Sequence, residues 1–302
     1  MFEPPNPIAM QLETDAPLKA MPGAWRAFEI ARGAPDSQVL IVCDHATNLM
    51  PPEYGTLGLD SIQLNRHIGY DIGALAVARE LGQRLNATVI SSRYSRLLID
   101  PNRGEDDPTL IMQLSDGAIV PGNAVLSGAE RKRRIAAFHK PYHQAIEAEL
   151  DAMLARGLVP VLVSLHSFTE AWRGVPRRWQ AAVLWDKDPR LPVPLLHELR
   201  RRTGFEIGDN EPYAGHLRGD SIYRHATLRG LPNALAEIRQ DGTREAAGQR
   251  EWAELLAECL TAIFADPASA APLARVEHFG SKTDAASGSP AGASVPACAT
   301  HS

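Results

Sequence analysis

The chain has 302 residues, 44% of them hydrophobic and 22% charged, with a net charge of -5, a balance that suits one large globular domain with a substantial core. That charge, with no dense Lys/Arg stripe, argues against nucleic acid or an anionic membrane as partner, and no uncharged apolar stretch approaches the roughly 20 residues needed to cross a bilayer. Cys43, Cys259 and Cys298 are too few and scattered for a disulfide framework and fit a reducing cytoplasm; the amino terminus has no basic or apolar leader region, so the chain reads as soluble and unexported.

Residues 1–22 are Pro-rich and irregular. Strands are expected at Ala27–Ile30, Val39–Cys43, Thr88–Ser91, Val161–Leu165, Ala181–Leu184 and Ala234–Ile238, where short β-branched or apolar runs stand between turn residues. Helical patterns lie between them. Asp71–Leu85 spaces Ile72, Leu75, Ala76, Ala78, Leu81 and Leu85 mostly on one face, with Asp71 near the amide-rich end. Ser127–Arg156 opens on Ser127 followed three residues later by Glu130, the pattern of a capping box, and Pro141 is expected to kink or split it. Pro192–Thr203 and Arg244–Phe264 complete the set. From Asp266 the sequence drifts to Ala, Ser, Gly and Pro, which predicts a mobile low-complexity tail over 266–302 after a single domain at 23–265.

Strands alternating with helices imply crossover connections, hence a three-layer α/β/α sandwich around a mixed, mainly parallel sheet. Ligands of such sheets sit beyond the carboxyl ends of the strands. Two strand-like runs end there in histidine: Val39–Cys43 leads to Asp44-His45, and Val161–Leu165 leads to His166. Zinc takes imidazole nitrogen and carboxylate oxygen, so His45 and His166 form a natural pair, although a lone histidine is more often structural. Glu237 falls on a third run; there it is either paired by a neighbour such as Arg239 or held as a base. Arg96, Asn102 and Arg103 surround an apolar run containing Asp100, and their forked and amide donors suit capture of a carboxylate, the bland alternative being a loop tied by an Arg/Asp ion pair. The loop Asp209–Tyr213 with Gly215-His216 could close over a substrate or be simple turn chemistry. Trp172, Arg173, Arg177, Arg178 and Trp179 could line a specificity pocket or form a solvated basic loop. Cys43, at the end of an apolar strand, reads as buried and inert rather than as a nucleophile.

The ordered set Cys43-Asp-His-Ala-Thr-Asn48, Arg66-His-Ile-Gly-Tyr-Asp-Ile-Gly73, Tyr94-Ser-Arg96 to Asp100-Pro-Asn-Arg103, Leu165-His-Ser-Phe-Thr169, Gly208-Asp-Asn-Glu-Pro-Tyr213 and Glu237-Ile-Arg-Gln-Asp241 resembles the N-formylglutamate amidohydrolase family over about residues 38–260. That family is similar in turn to the zinc carboxypeptidases. The resemblance implies hydrolysis of the amide of N-formyl-glutamate or a related small acidic N-acyl amino acid, with one zinc ion per chain. It implies His45 and His166 as zinc ligands and Glu237 as general base. Arg103, Asn102 and Arg96 would face the substrate carboxylate and developing charge, with Tyr213 also on the substrate. Where carboxypeptidases have His-x-x-Glu, this chain has His45-Ala-Thr-Asn48. The third ligand is then Asp71, or alternatively Asn48; Asp71 as a helix cap stands beside that reading. The same departure motivates a different class of function, a non-catalytic carboxylate-binding protein without a working metal centre.

Overall fold

The computed structural model describes residues 25–284. The expected irregular segment 1–22, the end of the tail and Cys298 lie outside them. Seven strands form the central sheet: β1 Phe28–Ala31, β2 Val39–Cys43, β3 Thr88–Ser92, β4 Val161–Phe168, β5 Ala181–Leu184, β6 Ile207–Asp209 and β7 Asn233–Arg239, in the spatial order β1-β3-β2-β4-β7-β5-β6. Pairs β3/β2, β2/β4, β4/β7 and β5/β6 run parallel, whereas β1/β3 and β7/β5 run antiparallel. The sheet is therefore mixed and mainly parallel, as the alternating sequence pattern implies.

The main helices are α1 Ala74–Leu85, α2 Gly128–Arg134, α3 Lys140–Ala155, α4 Pro192–Thr203, α5 Ser221–His225, α6 Ala246–Ala265 and α7 Pro267–Leu273. Side chains alternate between sheet faces with period two. Val39, Ile41 and Cys43 of β2, Val163 and Leu165 of β4, and Ala236 and Ile238 of β7 pack with α1, α4 and α6. On the other face Leu40, Val42, Leu162 and Leu235 meet Tyr142, Ile146, Leu150 and Met153 of α3 and Ile222 of α5. These two cores make the three-layer sandwich. The same alternation sends His166 and Glu237 to the α3/α5 side, while Cys43 goes to the opposite one. A third cluster, containing Tyr94, Leu97, Leu98, Ile99, Leu110 and Phe138, supports the loop between β3 and α2 from beneath.

Several boundaries differ from those expected, each for a local reason. The segment Ser127–Arg156 is split, one of the two outcomes expected of Pro141, and the interruption is a π-helical turn, Ile135–His139, that joins α2 to α3 just before the proline. Pro141 has no N–H to return to the carbonyl four residues earlier, and the wider turn lies just before it. Ser127 Oγ accepts from Glu130 N at 3.1 Å, but the Glu130 carboxylate goes to Arg133 and Arg134 instead of closing the box. Strand β6 is only three residues long, too short to announce itself by alternation. Beyond Asp266, where a mobile tail is expected, Asp266 accepts from Ala268 N and Ser269 N to cap α7. Arg190 then gathers the carbonyls of Pro272, Arg275 and Glu277, and Lys282 N donates to Asp186. Among the described residues no helix is long and apolar enough to cross a membrane.

Candidate metal centre and substrate cavity

At the carboxyl edge of β2, β4 and β7 opens a cavity of about 310 Å³, lined by His45, His67, Asp71, Arg96, Asn102, Arg103, His166, Tyr213, Asp220 and Glu237 and walled by Phe168, Leu184, Leu217 and Leu235. Its volume suits a small ligand. His45 follows β2 directly, and Asp71 is brought against it because Asp71 N donates to the His45 carbonyl at 2.9 Å. His166 lies within β4 with its ring 4.9 Å from that of His45 at an interplanar angle of 76°. His45, Asp71 and His166 each offer a ligand atom, and these atoms all lie within 4.8 Å of one another.

The outer ring nitrogens are both held by carboxylates. His45 Nε2 lies 2.7 Å from Asp100 Oδ1, and His166 Nε2 lies 3.1 Å from Asp44 Oδ2. Such contacts fix the tautomer and leave Nδ1 for a metal. His45 Nδ1 is buried without a hydrogen-bond partner and stands 3.4 Å from Asp71 Oδ2, while His166 Nδ1 is 2.8 Å from the same oxygen. Tetrahedral donors at about 2.1 Å from zinc lie about 3.4 Å apart, so the donor set and its spacing fit a small dication. Asp71 does not cap α1: the N-cap is Gly73, with no side-chain cap bond, and the Asp71 carboxylate accepts instead from Ser167 N at 3.2 Å. Asn48 is absent from the cavity lining; its amide donates to Leu64 O at 3.2 Å and to Asn65 Oδ1 at 2.9 Å.

Burial opposes ionisation throughout this cluster, yet the charges sort themselves. Burial would raise Asp71, but His45 and His166 hold its carboxyl below the usual range. Burial would depress His166, but Asp44 and Asp71 on its two nitrogens hold it well above an ordinary imidazole. Asp44 is itself secured by Tyr142 Oη at 2.9 Å, Ser164 Oγ at 3.1 Å and Ser221 Oγ at 2.5 Å.

Glu237 is the register partner of His166 on the adjacent parallel strand. Its Oε2 is buried without a hydrogen-bond partner, and burial pushes its carboxyl up to about 7. Arg239 does not pair with it, being bound to Asp241 at 2.8 and 3.0 Å. Arg96 holds Asp100 at 2.8 and 3.2 Å and comes within 3.6 Å of Asp71. The ion-pair reading of this loop therefore holds for Arg96, although its side chain also faces the cavity. Among the described residues Arg103 donates only to neutral oxygens, Asn102 O at 2.8 Å and Thr109 Oγ1 at 3.2 Å, and Asn102 Oδ1 accepts from Ser221 N at 3.1 Å. Tyr213 lies at the mouth, its hydroxyl accepting from Arg177 at 2.7 Å. Its loop is set by Asn210, whose Oδ1 accepts from Trp185 N and Gly215 N.

Cys43 is fully buried among apolar side chains on the other face of the sheet, and burial pushes its thiol up. It is no nucleophile for this cavity. Sequence reasoning missed Asp220, which lines the cavity, accepts from Tyr223 N at 2.6 Å and is pushed up to about 7 by burial. The pattern Asp220-Ser221 ahead of Ile222 reads only as a helix cap. The supporting roles of Asp44 and Asp100 rest on contacts between distant segments.

The profile of the N-formylglutamate amidohydrolase family matches residues 37–243. A curated N-formylglutamate deformylase of Pseudomonas putida is 33% identical over 100 residues, which make up 30% of this chain and 36% of that relative. Among solved structures, a gene product of Agrobacterium tumefaciens superposes with a TM-score of 0.75 at 33% identity, covering 80% of this chain and 98% of that one. The N-formylglutamate amidohydrolase of Ralstonia eutropha JMP134 shares the fold with a TM-score of 0.60 at 21% identity, over 78% and 97% of the two chains. With most of its sheet and all of its clustered histidines and carboxylates inside the matched region, the chain belongs to the N-formylglutamate amidohydrolase family.

Proposed function

We propose that this protein is a zinc-dependent amidohydrolase that cleaves the amide of N-formyl-glutamate or a related N-acyl amino acid, with one ion per chain held by His45, Asp71 and His166. The observation that carries this reading is the convergence of those three donors within 4.8 Å, beside a buried Glu237 whose Oε2 has no partner. A dication held there supplies Lewis acidity, polarising the acyl oxygen and favouring ionisation of water.

The chain's own residues do the rest. Glu237 accepts a proton from the attacking water and passes it to the leaving amine, a transfer suited to a carboxyl that burial brings up to about 7. Arg103 and Asn102 receive the substrate's carboxylate, because the Arg103 guanidinium is bonded only to neutral oxygens. Arg96 is a positioning residue, locking Asp100 against His45 and keeping positive charge near Glu237. Tyr213 closes the outer wall. Asn48 in place of a glutamate motivates a binding protein without a metal centre; the Asp71 carboxylate, 3.4 Å from His45 Nδ1, supports the metal-holding reading instead.

The test is elemental analysis of the purified protein together with hydrolysis of N-formyl-L-glutamate before and after chelation. Activity that disappears with chelator and returns with zinc is the expected result. Hydrolysis indifferent to chelator would reject the metal, and no hydrolysis of any N-acyl amino acid by metal-loaded protein would reject the enzyme.

A further inference from the structure

A dicarboxylic substrate brings two anions into a partly desolvated cavity, and each needs a cation that is not already neutralised. Arg96 is consumed by Asp100 and Asp71. His67 stands 3.3 Å from Asp116. Among the described residues Arg103 has no direct ion pair, although Asp100 and Asp220 feel its charge, and it supplies one site from the loop after β3.

A second such guanidinium lies on the other flank of the catalytic strands. Arg177 precedes β5 at the foot of a small hairpin formed by Ala171–Trp172 and Val175–Pro176. It donates to Tyr213 Oη at 2.7 Å and to Thr169 Oγ1 and O at 3.2 and 3.3 Å. Tyr213, Thr169 and Phe168 line the cavity, and Arg177 stands directly behind all three without itself being part of the lining. The guanidinium sits over the rings of Tyr213 at 4.9 Å, Phe168 at 5.5 Å and Trp172 at 5.8 Å. Every one of these partners is neutral. Three nearby arginines differ: Arg178 pairs with Glu206, Arg239 with Asp241 and Arg244 with Glu170. Among the described residues Arg177 has no ion pair with a carboxylate. Aromatic faces and neutral oxygens orient a guanidinium without cancelling its charge, which is what an anion receptor requires.

We propose that Arg177 receives the second carboxylate of the substrate and so selects acidic amino-acid side chains over neutral ones, an assignment that rests on the amidohydrolase reading above. The Arg103 and Arg177 sites then hold the two carboxylates from opposite flanks, which leaves the formyl amide on Cα to face Glu237. Charge-assisted hydrogen bonds of this kind are worth about 10- to 100-fold in binding.

The experiment compares kcat/KM for N-formyl-L-glutamate with that for the near-isosteric N-formyl-L-glutamine, which keeps the α-carboxylate but has a neutral side chain, using zinc-loaded protein. Arg177→Met should lower the glutamate-to-glutamine ratio about 10- to 100-fold, mainly through KM for glutamate. Arg177→Lys, which keeps the charge, should give an intermediate ratio. Inhibition by free L-glutamate, followed with the glutamine substrate, should weaken by a similar factor in Arg177→Met. Equal losses on both substrates would mean that Arg177 merely props the Tyr213 loop, and an unchanged ratio would mean that it does not meet substrate; either overturns the assignment while leaving the amidohydrolase standing. A wild-type protein inactive on every N-formyl amino acid would instead overturn the underlying function, and this assignment with it.

Discussion

Glu237 and His166 are register partners on neighbouring parallel strands, and both point to the face covered by α3 and α5. The proposed base is thereby built into the sheet and not carried on a loop. Glu237→Gln keeps the shape of the side chain and removes its ability to take a proton. Turnover should fall about 10²- to 10⁴-fold while zinc stoichiometry stays at the wild-type level. A variant retaining more than a tenth of wild-type kcat would show that another group is the base.

His45 and His166 should each be needed for metal retention, because in the proposed centre each contributes one of three donors. His166→Ala should lose the metal under dialysis. Asp100→Asn is the finer probe, since Asp100 touches His45 Nε2 and not the donor atom. Zinc affinity should drop about 10- to 100-fold, measured by competition with a chromogenic chelator. Wild-type affinity in that variant would remove Asp100 from its supporting role.

Much of this site is legible in the sequence because the strands that carry it are continuous apolar runs. Val39–Cys43 and Val161–Leu165 end where a parallel sheet holds its ligands, so His45 and His166 are visible as a pair. Their separation in space is not, and neither is the choice between Asp71 and Asn48. That choice depends on Asp71 N reaching the His45 carbonyl, a contact between two loops. Asp220 looks like any other N-cap residue until α5 docks at the cavity. The short strand β6 and the ordered segment after Asp266 depend on tertiary partners that local propensity does not encode.

Asp220 predicts a pH dependence of stability. Burial raises its carboxyl from 3.8 to about 7 in the folded chain. Below pH about 4 both states hold the proton. Between about 4 and 7 the folded chain keeps it and the unfolded chain releases it, so this group's contribution to stability falls as pH rises through that window and stays lost above it. The slope from this residue is at most about 1.4 kcal/mol per pH unit. Asp220→Asn, which can still cap α5, should flatten the profile in urea titrations between pH 4 and 7. A variant curve parallel to the wild type would place the carboxyl near its ordinary value.

Gly73 has φ of +79°, and a Cβ there would come 2.1 Å from the Thr243 carbonyl oxygen. Both the left-handed backbone and the close approach require glycine. Gly73→Ala should cost about 1–3 kcal/mol in denaturant unfolding. Because Asp71 lies two residues earlier, the same change should also weaken zinc binding. A stable variant with normal zinc affinity would show that the turn tolerates a side chain.

The π-helical turn at Ile135–His139 sets the rotational phase of everything that follows it. Its extra residue rotates α3 by about 100° relative to an uninterrupted α-helix. With that offset Tyr142 reaches Asp44, His143 Nε2 stands 3.0 Å from the Pro101 carbonyl, and His139 Nε2 stands 2.9 Å from that of Arg103. Those carbonyls bracket Asn102. Loss of one residue from the turn would swing Tyr142 and His143 off their targets, releasing at one stroke the brace behind His166 and a support of the backbone at Asn102, where the substrate carboxylate is proposed to bind.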